Sequence, residues 1–81
     1  MDKKIILEMQ ENKNIEITVN GEIKLTIEKK ERTIKADDIY MLLDHSPGDK
    51  YSIEIVNKKG IDKPVIEFFS DLLNDITEQL P

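Results

Sequence analysis

Few side chains in this 81-residue sequence could hold a proton, a metal ion or a phosphate. The single histidine, His45, lies between Asp44 and Ser46. A histidine acts as a general base when a nucleophile and an orienting group converge on its ring, and adjacent residues in a chain do not converge in that way. As a metal ligand it would need two or more companions, and there is no second His and no Cys. The expectation for His45 is a turn residue helping to close the C-terminal end of a helix, where positive charge complements the dipole. Asp37, Asp38 and Asp44 raise paired carboxylates for acid–base work or magnesium. The first two fall in the first turn of a predicted helix, and dipole complementarity accounts for them there. The run Asp44-His45-Ser46-Pro47-Gly48-Asp49 has too few oxygen ligands for a calcium loop. Gly21, Gly48 and Gly60 each fall in a predicted turn, and none opens a phosphate-binding loop. No catalytic, cofactor-binding or metal-ligating residue is assigned, no cofactor is expected, and the expectation is a protein that is not an enzyme.

Charge carries more information. Seventeen acids and twelve bases leave a net charge of -5, which argues against general binding to nucleic acid or an anionic membrane. The charge is also segregated. Residues 1–35 carry eight bases against seven acids, and residues 36–81 carry four bases against ten acids. Glu67, Asp71, Asp75 and Glu78 are spaced by four, four and three, which lines them along one side of a helix. These four are the candidate partner-binding residues, for a protein partner of basic character. The plainer expectation for the same stripe is the solvated side of a packed helix. Lys29, Lys30, Arg32 and Lys35 form a basic segment, and Lys58, Lys59 and Lys63 a second. Neither comes with the aromatic pair that marks a reader of single strands, since Tyr40 and Tyr51 sit in patterns that read as core or partly core.

The elements that must position these residues follow from periodicity. Ile5, Leu7 and Met9 alternate against Ile6 and Glu8, giving a first strand over about residues 5–9, and Gln10 to Asn14 reads as a turn. Ile15, Ile17 and Val19 form a second strand and Ile23, Leu25 and Ile27 a third, joined by Asn20-Gly21, a strong hairpin signal. A two-residue turn would set Val19 against Glu22 and Ile17 against Lys24. A three-residue loop, Val19-Asn20-Gly21 with Gly21 left-handed, sets Ile17 against Ile23, Ile15 against Leu25 and Glu16 against Lys24, and is the predicted register. A short helix follows over about Ala36–Asp44, with Lys35 at the cap, Asp38 reaching back to its backbone, an Ile34–Ile39 staple, and Ile39, Leu42 and Leu43 buried. Pro47-Gly48 fits a type II turn. A fourth strand runs over about Lys50–Lys58, with Tyr51, Ile53 and Ile55 on one face, and Val56 suggests that its far end is covered on both faces. Lys59-Gly60 is a loop, Asp62 a capping residue, and the last helix runs to about Gln79. Its apolar face is Val65, Phe68, Phe69, Leu72, Leu73, Ile76 and Leu80, with Ile66 at the margin.

These pieces predict one small α+β domain over residues 1–81. It is a two-layer sandwich in the order β-β-β-α-β-α, with a three-stranded antiparallel meander, a fourth strand placed beside the first, and both helices on one sheet face. The apolar run after Lys3-Lys4 stops at Glu8, short of a secretory segment, so a cytoplasmic protein is expected. Thirteen Ile and eleven Lys against one Ala and one Arg suggest an AT-rich genome, as of a low-GC bacterium or its phage. Three readings of function remain. The first is an interaction or regulatory module that contacts a protein through the acidic helical half. The second is an acidic inhibitor that imitates nucleic acid toward a DNA- or RNA-binding protein. The third is a weak nucleic-acid binder through Lys29–Lys35. A homodimer contact through Ile66, Phe68 or Leu80 is compatible with the first.

Overall fold

A computed structural model describes residues 1–81. Strand β1 (Asp2–Met9) realises the alternation of its sequence: Lys3, Ile5, Leu7 and Met9 are buried, and Asp2, Lys4 and Glu8 face solvent. Strand β2 (Ile15–Val19) pairs antiparallel with β1, Leu7 opposite Ile17 and Met9 opposite Ile15. Strand β3 (Glu22–Ile27) pairs antiparallel with β2. After helix α1 (Ala36–Leu43), strand β4 (Lys50–Val56) lies beside β1 and parallel to it, Ile5 opposite Ile53. The sheet order is β3-β2-β1-β4. Helix α2 (Lys63–Glu78) closes the chain, packed over β4 and β1, while α1 packs over β3. Both helices bury their apolar residues in one cluster with the inner face of the sheet. The fold is therefore the expected two-layer α+β sandwich, with the fourth strand beside the first. No helix is long and apolar enough to cross a membrane.

The β2–β3 register corrects the predicted one. Val19 pairs with Glu22 across a two-residue Asn20-Gly21 turn, both residues having positive φ (51° and 83°). Such a turn matches the twist of the flanking strands. Asn20 is held further by its Oδ1, which accepts the Lys4 N–H at 2.8 Å, and by its own N–H, which donates to the Lys4 carbonyl. The clash of polarity that a tight turn would cause is removed two residues on. Thr18 pairs with Ile23, the register shifts, and Ile17 then pairs with Leu25 and Ile15 with Ile27. Lys24 is the extra residue. The chain absorbs it as a β-bulge within the strand instead of lengthening the loop. Leu25 and Ile27 thereby face inward, at the cost of leaving Ile23 on the open face with Thr18.

Other local expectations shift for identifiable reasons. The turn at Pro47-Gly48 forms as expected, Gly48 at φ 91° and the Asp49 N–H donating to the Ser46 carbonyl. Helix α1 stops one residue early because Asp44 turns left-handed, its N–H closing onto the Tyr40 carbonyl. No side-chain bond caps α1 at Lys35, so Asp38 does not reach back. Asp62 is likewise left-handed and caps α2 only through its carbonyl, because its carboxylate is taken by Arg32 at 3.0 Å. Strand β4 ends at Val56 and not Lys58, and Val56 is half-buried. Its neighbour Ile55, on the opposite face, is 38% exposed, so the far end of β4 is not fully covered on either face. Tyr40 is 57% exposed and not core, whereas Tyr51 is half-buried.

Candidate functional site

The chain brings the C-terminal ends of both helices, α1 from over β3 and α2 from over β4 and β1, to the end of the sheet where β1 begins. The carbonyls there carry partial negative charge and need donors. Lys3 supplies them. Its alternation with Ile5 and Leu7 points it inward, and its Nζ donates to the Leu43 carbonyl at 2.8 Å and to the Asp44 carbonyl. Asp49 balances the charge at 3.1 Å, its own side chain almost fully covered. The Ser46 N–H donates to the Asp49 carboxylate, and this bond together with Lys3 holds its pKa down at about 2. Tyr51 lies under the Lys3 ammonium, and burial pushes its hydroxyl up. His45 stacks on Tyr51, with Nδ1 2.9 Å from the Tyr51 hydroxyl. Its Nε2 donates to the Pro81 carbonyl at 3.1 Å. Both ring nitrogens are engaged, and the ammonium has three acceptors in the Leu43 and Asp44 carbonyls and the Asp49 carboxylate. The arrangement clamps the two helix ends to β1 and β4. Lys3, and not His45, is the residue that closes the C-terminus of α1, which corrects the expected role of His45.

The four candidate partner-binding residues lie where the spacing put them. Glu67, Asp71, Asp75 and Glu78 are all exposed on the solvent side of α2, and Lys63 touches the stripe only at its start, 3.9 Å from Glu67. The apolar face of α2 is rotated from the expected one. Ile66 is fully buried with Phe69 and Leu73 at the centre of the contact, while Val65, Leu72, Ile76 and Leu80 are partly covered. Phe68 is 62% exposed, its ring edge-on to Phe69. The wide apolar arc allowed the sheet to take either margin, and it took the Ile66 side. Ile66 is therefore removed from the residues able to contact another protein, and Phe68 stands beside Asp71 and Asp75 on the open side.

Four of the seven side chains in the two basic segments are paired within the protein, and Lys29, Lys35 and Lys58 are not. Lys30 meets Glu28 at 3.9 Å, Arg32 meets Asp62, Lys59 meets Glu11 at 2.6 Å, and Lys63 meets Glu67. Arg32 Nη1 is buried without a partner, one unsatisfied donor beside that ion pair. A cavity of about 140 Å³ lies between the far ends of β1 and β4, lined by Met9, Val56 and Ile61 with Glu8, Glu11 and Lys59. Small-molecule sites run to about 300–1,000 Å³, so this volume suits a few waters. No three His, Asp or Glu side chains converge at metal-ligating distance. Comparison with known proteins finds no matching family model, curated protein or solved structure.

Lys3 was legible in principle. It is the only charged residue at an inward position of β1, and an inward lysine at a strand start signals acceptors waiting beneath it. The exposure of Phe68 had no such signal, because the pattern of α2 alone does not say which margin of the apolar arc the sheet covers.

Proposed function

We propose that this protein is a non-enzymatic interaction module that docks a basic protein through the open side of α2. The supporting observation is the pairing of an exposed aromatic with carboxylates on one helix side: Phe68, 62% exposed, beside Asp71 and Asp75 and continuous with Glu67 and Glu78. Aromatic side chains that lose their water on docking carry a large share of interface energy. Surrounding charges of one sign steer a complementary partner and set its orientation. The partner that fits presents an apolar pocket rimmed by lysine or arginine. A cytoplasmic setting belongs to the same proposal.

The test is affinity capture of a partner from a native lysate by the wild-type protein, followed by binding measurements with that purified partner. Phe68→Ser and the pair Asp71→Lys/Asp75→Lys are each expected to weaken binding at least about tenfold. The wild-type affinity is expected to fall as salt rises. Equal affinity of wild type and both variants for the captured partner would overturn the proposal.

A further inference from the structure

The two edges of the sheet are not alike. The β3 edge is broken by the bulge at Lys24 and carries the Lys24–Glu22 ion pair at 3.2 Å, both devices that discourage strand addition. The β4 edge has no bulge, and its ion pair, Glu54 with Lys4 at 3.8 Å, joins it to β1 within the sheet. Its register with β1 is unbroken from Lys50 to Val56, it contains no proline, and its inner face reads Tyr51, Ile53, Ile55 without a charge. Ile55 is 38% exposed there, beside an open groove between β4 and α2 that includes Ile66, Lys63 and Glu67.

The backbone of this edge can be assigned residue by residue. The Lys50 N–H donates to the Met1 carbonyl at 2.9 Å, so Lys50 turns its backbone polar groups toward β1. Alternation gives Ser52, Glu54 and Val56 the same direction, and leaves the N–H and C=O of Tyr51, Ile53 and Ile55 pointing outward. When β4 is laid antiparallel on a second copy of itself about Ile53, the register is self-complementary. Ile53 meets Ile53, Tyr51 meets Ile55, Ser52 meets Glu54, and Lys50 meets Val56. All three outward residues fall in hydrogen-bonded pairs, each exchanging two bonds. No like charges are opposed. The Ser52 facing each Glu54 is itself opposite Lys4 on β1, so a Glu54 already 3.8 Å from its own Lys4 gains a second lysine across the junction. On the inner face the aromatic ring of Tyr51 covers the exposed Ile55 of the other copy.

We propose that β4 is a homodimer edge, two copies joining antiparallel about Ile53 to make one continuous eight-stranded sheet. The occupant is a second copy of this chain because the strand is complementary to itself in sequence, charge and hydrogen-bond phase. The junction uses the β4 backbone and not the acidic side of α2, so it stands or falls separately from partner docking.

The test is amide hydrogen exchange by NMR at low and high protein concentration, with sedimentation on the same samples. The expected result is a concentration-dependent dimer in which the amides of Tyr51, Ile53 and Ile55 gain protection. Those of Lys50, Ser52, Glu54 and Val56 are protected at every concentration. Glu54→Lys is expected to raise the dimer dissociation constant about tenfold, and Lys4→Glu/Glu54→Lys to restore it. A protein that stays monomeric at the highest concentration overturns the proposal. So does a dimer that protects other amides and leaves these three exchanging, or one indifferent to both charge variants.

Discussion

Replacing Lys3 by methionine tests the clamp at the C-terminal end of α1. Methionine keeps most of the volume of the buried stem and removes only the charged head. The head makes two bonds to carbonyls of the last helical turn and one ion pair to Asp49. Hydrogen bonds to a charged group contribute about 1.5–3 kcal/mol each when buried. The Tyr51 hydroxyl, 3.3 Å from the Leu43 carbonyl, compensates part of one. The expected loss is therefore about 2–4 kcal/mol. A domain of this size has about 4–12 kcal/mol in all, so the variant loses at least about a sixth of its stability, and its Tm falls by about 10–30 °C. Lys4→Met is the control: Lys4 is exposed on the opposite face, and less than about 0.5 kcal/mol is expected. The assay is urea and thermal unfolding followed by circular dichroism, repeated as pH is lowered. Asp49 sits at about 2 in the fold against an ordinary 3.8. Its folded value lies below its unfolded one, so its contribution is complete above about pH 4 and is lost as pH falls from there through about 2. Lys3 is one of the causes of that depression, so the gap between wild type and Lys3→Met is expected to narrow across this window. A Lys3→Met protein as stable as Lys4→Met, or a gap that does not change with pH, would refute the clamp.

Three further outcomes are expected. Phe69→Ala costs about 3–5 kcal/mol, whereas Phe68→Ala stays within about 1 kcal/mol of wild type, read from denaturant unfolding, because the first ring is buried and the second is open. Deleting Lys24 removes the bulge and makes the β2–β3 hairpin regular while keeping Leu25 and Ile27 inward. The protein is expected to fold within about 1 kcal/mol of wild type, and loss of the folded NMR spectrum would show the bulge to be required. Gly21→Ala is expected to destabilise by about 1 kcal/mol in the same unfolding assay, because φ of 83° is strained for any residue with a Cβ, although the space around it is open.

Much of the fold was readable because the apolar pattern has the period of its elements. β1, β2 and α1 bury the residues that alternation and the helical repeat select, β4 turns Tyr51 and Ile53 partly inward, and the Asn-Gly and Pro-Gly turns lie where they were expected. The acidic stripe was readable for the same reason, since spacings of three and four place Glu67, Asp71, Asp75 and Glu78 on one helix side wherever the helix docks. The hairpin register was not readable. Polarity matching required one extra residue somewhere between Val19 and Leu25, and both the loop and the strand could take it. The backbone preference of Asn20-Gly21 for a tight turn, reinforced by the bonds of Asn20 to Lys4, sent it into the strand.

Local pattern was enough for the element order, the inner face of every strand except the start of β3, and the separation of charge into a near-neutral half and an acidic one. Those are properties of local period and composition, which survive any packing. Long-range packing settled which margin of the α2 arc is covered, and so which of Ile66 and Phe68 is free. It alone decided that Lys3 and Asp49, forty-six residues apart, meet at a helix end, and that the β4 edge is left open while the β3 edge is bulged. Each of these depends on which surfaces come together across long sequence separations, and periodicity carries no record of that.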